Sequence, residues 1–364
     1  MKVVLVPDSF KGCASSSEVC ESMRAGVLAA RPDADVIAIP VADGGEGTVD
    51  AVLAATGGRR VRVTVQGPLG EPVTASYAFV GDTAVVEMAQ AAGLALARGR
   101  VGEASTYGVG QLIADAFRRG ALHVTLGLGG SGTNDGGCGM AAALGARFYD
   151  KDGRTFIPTG DTLKDIARVE LGERLPVEAM CDVDNPLCGP AGAAHVYGPQ
   201  KGAKDPAALD EGLRHLASLL SANAELPGAG AAGGLGFGVI ALLGGTLRSG
   251  IDAMLDLARF EERAKGADLI LTGEGRMDGQ TARGKVPVGV ARRAKSFKIP
   301  VVALCGALAP GYEAVYGEGV TAVFSACRNP MSLEEAIRTA PAGIAAVTAD
   351  IVRLLVDKGD QKEI

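Results

Sequence analysis

Five clusters of glycine and carboxylate, each set just after a short apolar run, constrain this chain more than any other feature. They are PDSFKG (7–12), ADGGEGT (42–48), GLGGSGTNDGG (127–137), CDVDNPLCG (181–189) and TGEGRMDGQT (272–281). An apolar run bounded by such residues reads as a buried strand ending in a loop. Glycine lets backbone N–H groups approach an anion, and a carboxylate beside such a loop holds a metal ion or takes a proton. The repetition points to phosphoryl-transfer chemistry.

The opening of the chain alternates strand, loop and helix. A β-branched run at 3–6 precedes Ser15 and Glu18, a capping-box pair, and then Val19, Met23 and Val27 recur at helical spacing. A second buried strand at 36–41 leads into the DGGEG loop and a short helix that stops at Gly57 and Gly58. This βαβα order predicts a parallel sheet with ligands at the carboxyl ends of its strands, so 7–12 and 43–48 are expected at one edge. From 61 to 88 the pattern becomes consecutive strands with turns at Gly67-Pro68 and Gly81-Asp82, an antiparallel meander. Amphipathic helices follow at 105–117, carrying Val109, Leu112, Ile113, Ala116 and Phe117, and at 206–223, carrying Leu209, Leu213, Leu216 and Leu220. PGAGAAGGLGFG reads as a tight functional or packing loop. Strand and helix units resume through 269–271 and 301–304 to a final helix at 342–355, and 357–364 reads as a polar tail. The expected architecture is α/β with two domains: a Rossmann/flavodoxin-like parallel-sheet domain made of 1–65 and 288–364, and an inserted mixed α/β domain of 66–287.

At 364 residues, 47% hydrophobic and 21% charged, with 53 glycines in no collagen period and no tryptophan, the chain suits a glycine-rich α/β enzyme rather than a disordered or fibrous protein. A net charge of −6 and the lack of a lysine/arginine run argue against a nucleic-acid surface, and no apolar stretch approaches the roughly 20 residues a membrane helix needs. The apolar segment at 3–6 is too short for a signal-peptide core, and seven cysteines without a C-x-x-C pair read as reduced thiols, so a cytoplasmic location is expected. His123, His195 and His215 are scattered, none at metal-ligand spacing; His123 starts a predicted strand and takes a structural role. A small-molecule partner is expected, with monomer and homodimer both open.

The clusters differ in what they offer. Gly127, Gly129, Gly130 and Gly132 match G-x-G-x-x-G after a strand, and Asp150 stands roughly twenty residues on, where a dinucleotide fold places its ribose-binding acid. A nicotinamide-dependent hydroxy-acid dehydrogenase is therefore a competing reading. Against it, Thr133, Asn134 and Asp135 intervene before the next helix, and with Ser131 these hydroxyls, amide and acid suit phosphate oxygens and a metal better. The segment 279–286 approaches a Walker A pattern but lacks the hydroxyl after Lys285; Lys285 itself, near a helix start, is placed to touch a phosphate. In TGEGRMDGQT, Arg276 between Glu274 and Asp278 suits a carboxylate or γ-phosphate clamp beside a metal-binding acid. Asp182 and Asp184 suit a proton acceptor and a metal ligand. Asp8, Ser9 and Lys11, with Asp43 and Glu46, are expected to hold a small acid and its hydroxyls.

Taken together, PDSFKG, PVADGGEGTVDA, GLGGSGTNDGGCGM, CDVDNPLCGPAGAAHVYGPQKGA, GAGAAGGLGFG and LTGEGRMDGQT closely resemble the hallmark runs of the bacterial glycerate kinase family, over about residues 1–356. The resemblance implies ATP- and Mg²⁺-dependent phosphorylation of D-glycerate on a two-domain α/β architecture without a Walker A loop, giving 2-phosphoglycerate or its 3-phosphate isomer. Cys13-Ala14 departs from the Glu/Ser-type continuation more common in relatives. On this reading the 127–134 loop and Lys285 hold the nucleotide, Lys11 and Arg276 handle the anionic groups, Asp182 is the base, and Asp184, Asp278 and Glu274 are metal candidates. A non-catalytic glycerate sensor is the third reading, and no DNA-binding stripe accompanies it.

Overall fold

The computed structural model describes residues 1–356, and the expected polar tail at 357–364 lies outside them. The described residues form two compact units, one of residues 1–43, 50–57 and 251–356, the other of 44–49 and 58–250. The first unit is built on a five-stranded sheet in the order Ala322–Ser325, Val301–Leu308, Leu269–Met277, Lys2–Pro7, Asp35–Ala38, every pairing parallel. In chain order this is 2-1-3-4-5, the flavodoxin-type arrangement. Val3, Leu5, Leu269, Leu271 and Leu304 are buried, as the near-continuous apolar runs of a sheet covered on both faces require. Ser15 caps the Ser16–Ala30 helix as its sequence predicts, the capping box closed by Glu18, and Val19, Met23 and Val27 form the buried stripe.

The expected domain limits move at both ends. Arg59–Gln66 pairs antiparallel with Pro72–Val80, so the main run of the second unit, beyond its 44–49 loop, starts at 58 and not at 66. Leu269–Met277 lies between Lys2–Pro7 and Val301–Leu308 in the parallel sheet, so TGEGRMDGQT belongs to the first unit and the return comes at 251, not 288. A short apolar strand shows its period but not its partners, which is why the sequence placed it wrongly.

The second unit carries a mixed six-stranded sheet in the order Thr246–Arg248, Val177–Met180, His123–Gly127, Thr83–Glu87, Pro72–Val80, Arg59–Gln66. The first four strands are parallel and the last two extend it as the antiparallel meander expected over 61–88. Tyr107–Arg118 buries Val109, Leu112, Ile113 and Ala116, and Pro206–Leu219, capped by Asp205, buries Leu209, Leu213 and Leu216; Leu220 falls just beyond its end. The final helix is longer than expected, Leu333–Val356, with Pro341 inside it. Among the described residues no helix is long and apolar enough to cross a membrane.

PGAGAAGGLGFG is a packing device and not an open loop. It enters the Ala231–Leu243 helix through three left-handed residues, Ala232, Gly233 and Gly234, and the run is buried. A Cβ on Gly233 would stand 2.0 Å from the Thr133 carbonyl oxygen, so only glycine lets this segment lie against 133–137.

Candidate active site

In an open parallel sheet, ligands gather at the carboxyl ends of the strands where the strand order reverses. In the first unit that point lies between Lys2–Pro7 and Leu269–Met277, and both strands end in predicted clusters. A cavity of 830 Å³ opens there, lined at one part by Asp8, Ser9, Lys11 and Asp43 and by Glu274, Arg276, Asp278 and Lys285. Eight residues predicted from three separate stretches of sequence thus share one cavity.

The PDSFKG loop is held by its aromatic residue. Phe10 is buried in the core, exchanges backbone hydrogen bonds of 2.8 and 2.9 Å with Ala14, and leaves Lys11 exposed at the tip. Asp8 remains buried at the strand end, where its Oδ1 accepts a 2.7 Å hydrogen bond from Ser9 N–H. Desolvation, then repulsion from Asp43, push its carboxyl up to about 7, with Glu274 adding a smaller push and Ser9 and Lys11 pulling the other way.

Glu274 is buried too, and desolvation raises its carboxyl above the ordinary range. Its Oε1 accepts from Thr281 Oγ1 at 2.5 Å and its Oε2 lies 3.7 Å from Lys285 Nζ. Thr281 Oγ1 also accepts from Asp278 N–H at 3.1 Å, so one hydroxyl fixes both acids of the TGEGRMDGQT turn. Lys285 is the N-cap residue of Val286–Ala294, where the helix adds partial positive charge. Arg276 is largely exposed, its guanidinium 3.9 Å from Asp278 Oδ2, which leaves its donors available to an anion.

The other predicted residues belong to the second unit. The loops at 44–49 and 127–134 meet there: Gly129 N–H donates to the Gly44 carbonyl at 3.0 Å, and a Cβ on Gly129 would stand 2.4 Å from Gly45 Cα. The end of Val177–Met180 packs on them as well, since a Cβ on Gly44 would come within 2.9 Å of Met180 Cβ. The glycines at 127 and 129 therefore answer first to close loop packing, and Glu46 is exposed beside Gly130. Thr133 Oγ1 and Asn134 Nδ2 are buried without a protein partner, the condition of groups that meet a ligand or an ordered water.

Asp182 and Asp184 are exposed in this unit, and Asp182 Oδ1 accepts from Gly250 N–H at 2.9 Å. Asn185 shapes the loop, accepting from the Tyr197 hydroxyl and donating to the Ala191 carbonyl. Among the described residues no three His, Cys, Asp or Glu side chains form a metal-ligating group. Glu274 and Asp278 are neighbours in the first unit, while the third metal candidate, Asp184, lies in the second. The dinucleotide reading loses its acid: Asp150 Oδ1 accepts from Asp152 and Arg154 N–H and closes a local turn, in an antiparallel sheet apart from the strand that ends at Gly127.

Lys201, which escaped the sequence reading, and Asp135, which it named only as part of the 127–137 loop, are both buried ionic residues. Lys201 donates to Ser131 Oγ at 2.6 Å and to the Thr133 carbonyl at 2.9 Å, and burial pulls its ammonium down to about 7. Asp135 accepts from the N–H groups of Thr106, Gly137 and Gly139 and from the Thr106 hydroxyl; desolvation nevertheless raises its carboxyl. The GPQKGA stretch held the only signal for Lys201, a lysine between turn glycines, which usually marks solvent.

Residues 3–356 match the family model described as the glycerate kinase family. The chain is 47% identical to the glycerate kinase of Bacillus cereus, covering 96% of this chain and 97% of the relative, and 42% identical to the glycerate 2-kinase of Escherichia coli K12, covering 98% of each. A crystal structure of a Salmonella typhimurium LT2 protein assigned as glycerate kinase 2 superposes with a TM-score of 0.86 at 40% identity, covering 99% of both chains. A parallel-sheet α/β enzyme with an acid- and lysine-lined cavity at its switch point is a small-molecule enzyme by construction. The chain belongs to the glycerate kinase family and is an enzyme of the kinase class.

Proposed function

We propose that this enzyme transfers the γ-phosphoryl group of ATP to the 2-hydroxyl of D-glycerate, giving 2-phospho-D-glycerate and ADP, with the 3-phosphate the less favoured product. The observation that carries the reading is the joint position of Asp8, Lys11, Glu274, Arg276, Asp278 and Lys285 around one cavity at the switch point. The name of the Escherichia coli relative favours the 2-phosphate.

Asp8 is the residue we assign as general base, in place of Asp182. A carboxyl held at about 7 is half ionised near neutral pH, so it can accept the hydroxyl proton as the oxygen attacks phosphorus. Asp182 is exposed and accepts a hydrogen bond from Gly250 N–H. Lys11 and Arg276 bind the carboxylate of the acceptor, Arg276 through paired N–H donors, and Ser9 and Asp43 take its hydroxyls. Lys285 neutralises phosphate charge with the help of its helix terminus. In the second unit Ser131, Thr133 and Asn134 offer polar groups of the kind a phosphate takes, with Lys201 holding their loop.

Glu274 and Asp278 fit Mg²⁺, which in phosphoryl-transfer sites takes one or two carboxylates and completes its octahedron with phosphate oxygens and water. Like charges raise both buried carboxyls, Asp43 and then Glu274 acting on Asp8, and Asp278 and Asp43 acting on Glu274, and a divalent cation relieves that repulsion. When bound, the ion would neutralise charge developing on the transferred group. Seven unpaired thiols agree with a cytoplasmic setting, which belongs to the same proposal.

Phosphorus NMR of the enzyme incubated with ATP, Mg²⁺ and D-glycerate tests the reading. ADP with 2-phosphoglycerate is expected; a 3-phosphoglycerate resonance would reverse the regiochemistry, and glycerate-independent or absent ATP turnover would overturn the function.

A further inference from the structure

The cavity of the first unit is far larger than its acceptor. A three-carbon hydroxy acid has seven heavy atoms, and even at a water's share of about 30 Å³ for each it would occupy only about 210 Å³. The cavity measures 830 Å³. Beyond the acid and lysine cluster and the backbone around Gly275 and Gly306, one wall of the cavity comes from the segment 326–331 and the first turns of the Leu333–Val356 helix, together with Cys13. This lining is apolar and open. Leu333 is 77% exposed and Ile337 38%, and Met331, Ala336 and Ala340 are partly so. Exposed aliphatic groups collected around one concavity mark a ligand surface more often than a free face.

The only uncharged amide on this wall is Asn329, which is exposed and carries both a donor and an acceptor. That pair matches the amino group and ring nitrogen of an adenine edge. A ligand that suits the part of the cavity left over by the acceptor has an anionic end for Lys285 and a flat apolar end with a polar edge. Resting on the kinase reading above, we infer that this wall is the nucleoside subsite of the phosphoryl donor: the purine lies against Met331, Ala336, Ile337 and Ala340, and Asn329 reads its edge. A glycerate-only cavity would not need these residues.

Two thiols make the test possible without mutation. Cys13 and Cys327 both line the cavity and are partly accessible, whereas Cys20, Cys138, Cys188 and Cys305 are buried. In the wild-type enzyme, alkylation by N-ethylmaleimide followed by peptide mass spectrometry should slow at least fivefold at Cys13 and Cys327 with ADP or AMP, and change little with D-glycerate alone. Asn329→Ala and Ala336→Trp, at exposed and half-exposed positions, should each raise the ADP Kd by tenfold or more in titration calorimetry while the glycerate Kd and the Tm stay near wild type. Unprotected thiols together with unchanged ADP binding in both variants, in an enzyme that turns over ATP, would place the nucleoside elsewhere and overturn the inference alone. Protection of the thiols by glycerate and not by ADP would assign the wall to the acceptor and overturn it too. Absence of ATP turnover in the wild type would instead remove the kinase reading on which it rests.

Discussion

Replacing Asp8 by Asn isolates the cost of keeping a carboxylate buried in the cavity of the first unit. The side chain is 8% exposed, and burial with its acidic neighbours moves its pKa from the ordinary 3.8 to about 7. At 1.36 kcal/mol for each pH unit, ionising it in the folded state costs at most about 4 kcal/mol. The direction follows from linkage: between about pH 4 and 7 the folded enzyme binds this proton while the unfolded chain has released it, so the contribution is full below about pH 4 and lost as pH rises through about 7. Asparagine keeps an oxygen for the Ser9 N–H and cannot ionise. In EDTA-containing buffer, urea unfolding followed by circular dichroism should show the variant gaining on the wild type by up to about 4 kcal/mol between about pH 4.5 and 8. Turnover should meanwhile fall by about 10²–10⁴, the usual contribution of a positioned base. A stability difference that does not change with pH would refute the buried-carboxylate argument, and near-normal turnover would remove Asp8 from the chemistry.

Three further outcomes follow from other parts of the molecule. Gly129→Ala places a methyl group 2.4 Å from Gly45 Cα, so the two loops must part; a loss of about 1–3 kcal/mol in urea titrations is expected, and an unchanged midpoint would show that they yield freely. Lys201→Ala removes the donor shared by Ser131 and the Thr133 carbonyl, and amide exchange over 130–134 should quicken at least tenfold, whereas wild-type exchange would make the lysine incidental. Arg276→Ala, on an exposed side chain, should raise the glycerate KM or depress kcat while leaving Tm in place, and normal values of both constants would take Arg276 out of the site.

Much of the framework was written locally. The capping box at Ser15 and Glu18, the buried stripes of 107–118 and 206–219, the meander from 59 to 87 and the strand before each glycine cluster depend on neighbours within a few residues, and the structure has them where periodicity and caps place them. The domain limits were not legible, because they depend on which strand lies beside which. Leu269–Met277 looked like any apolar run until its pairing with Lys2–Pro7 fixed it in the first sheet.

The same division runs through the candidate site. The sequence by itself determined the chemical inventory, since glycine, aspartate, lysine and arginine at strand ends announce anion and proton chemistry wherever the strands go. Only the tertiary structure decided which acids share a cavity, that Asp8 and Glu274 are shielded from water while Asp182 is exposed, and that Lys201 is buried against the 127–134 loop. Proton affinity depends on desolvation and on charges brought near by folding, and neither quantity is a property of a residue's place in the chain.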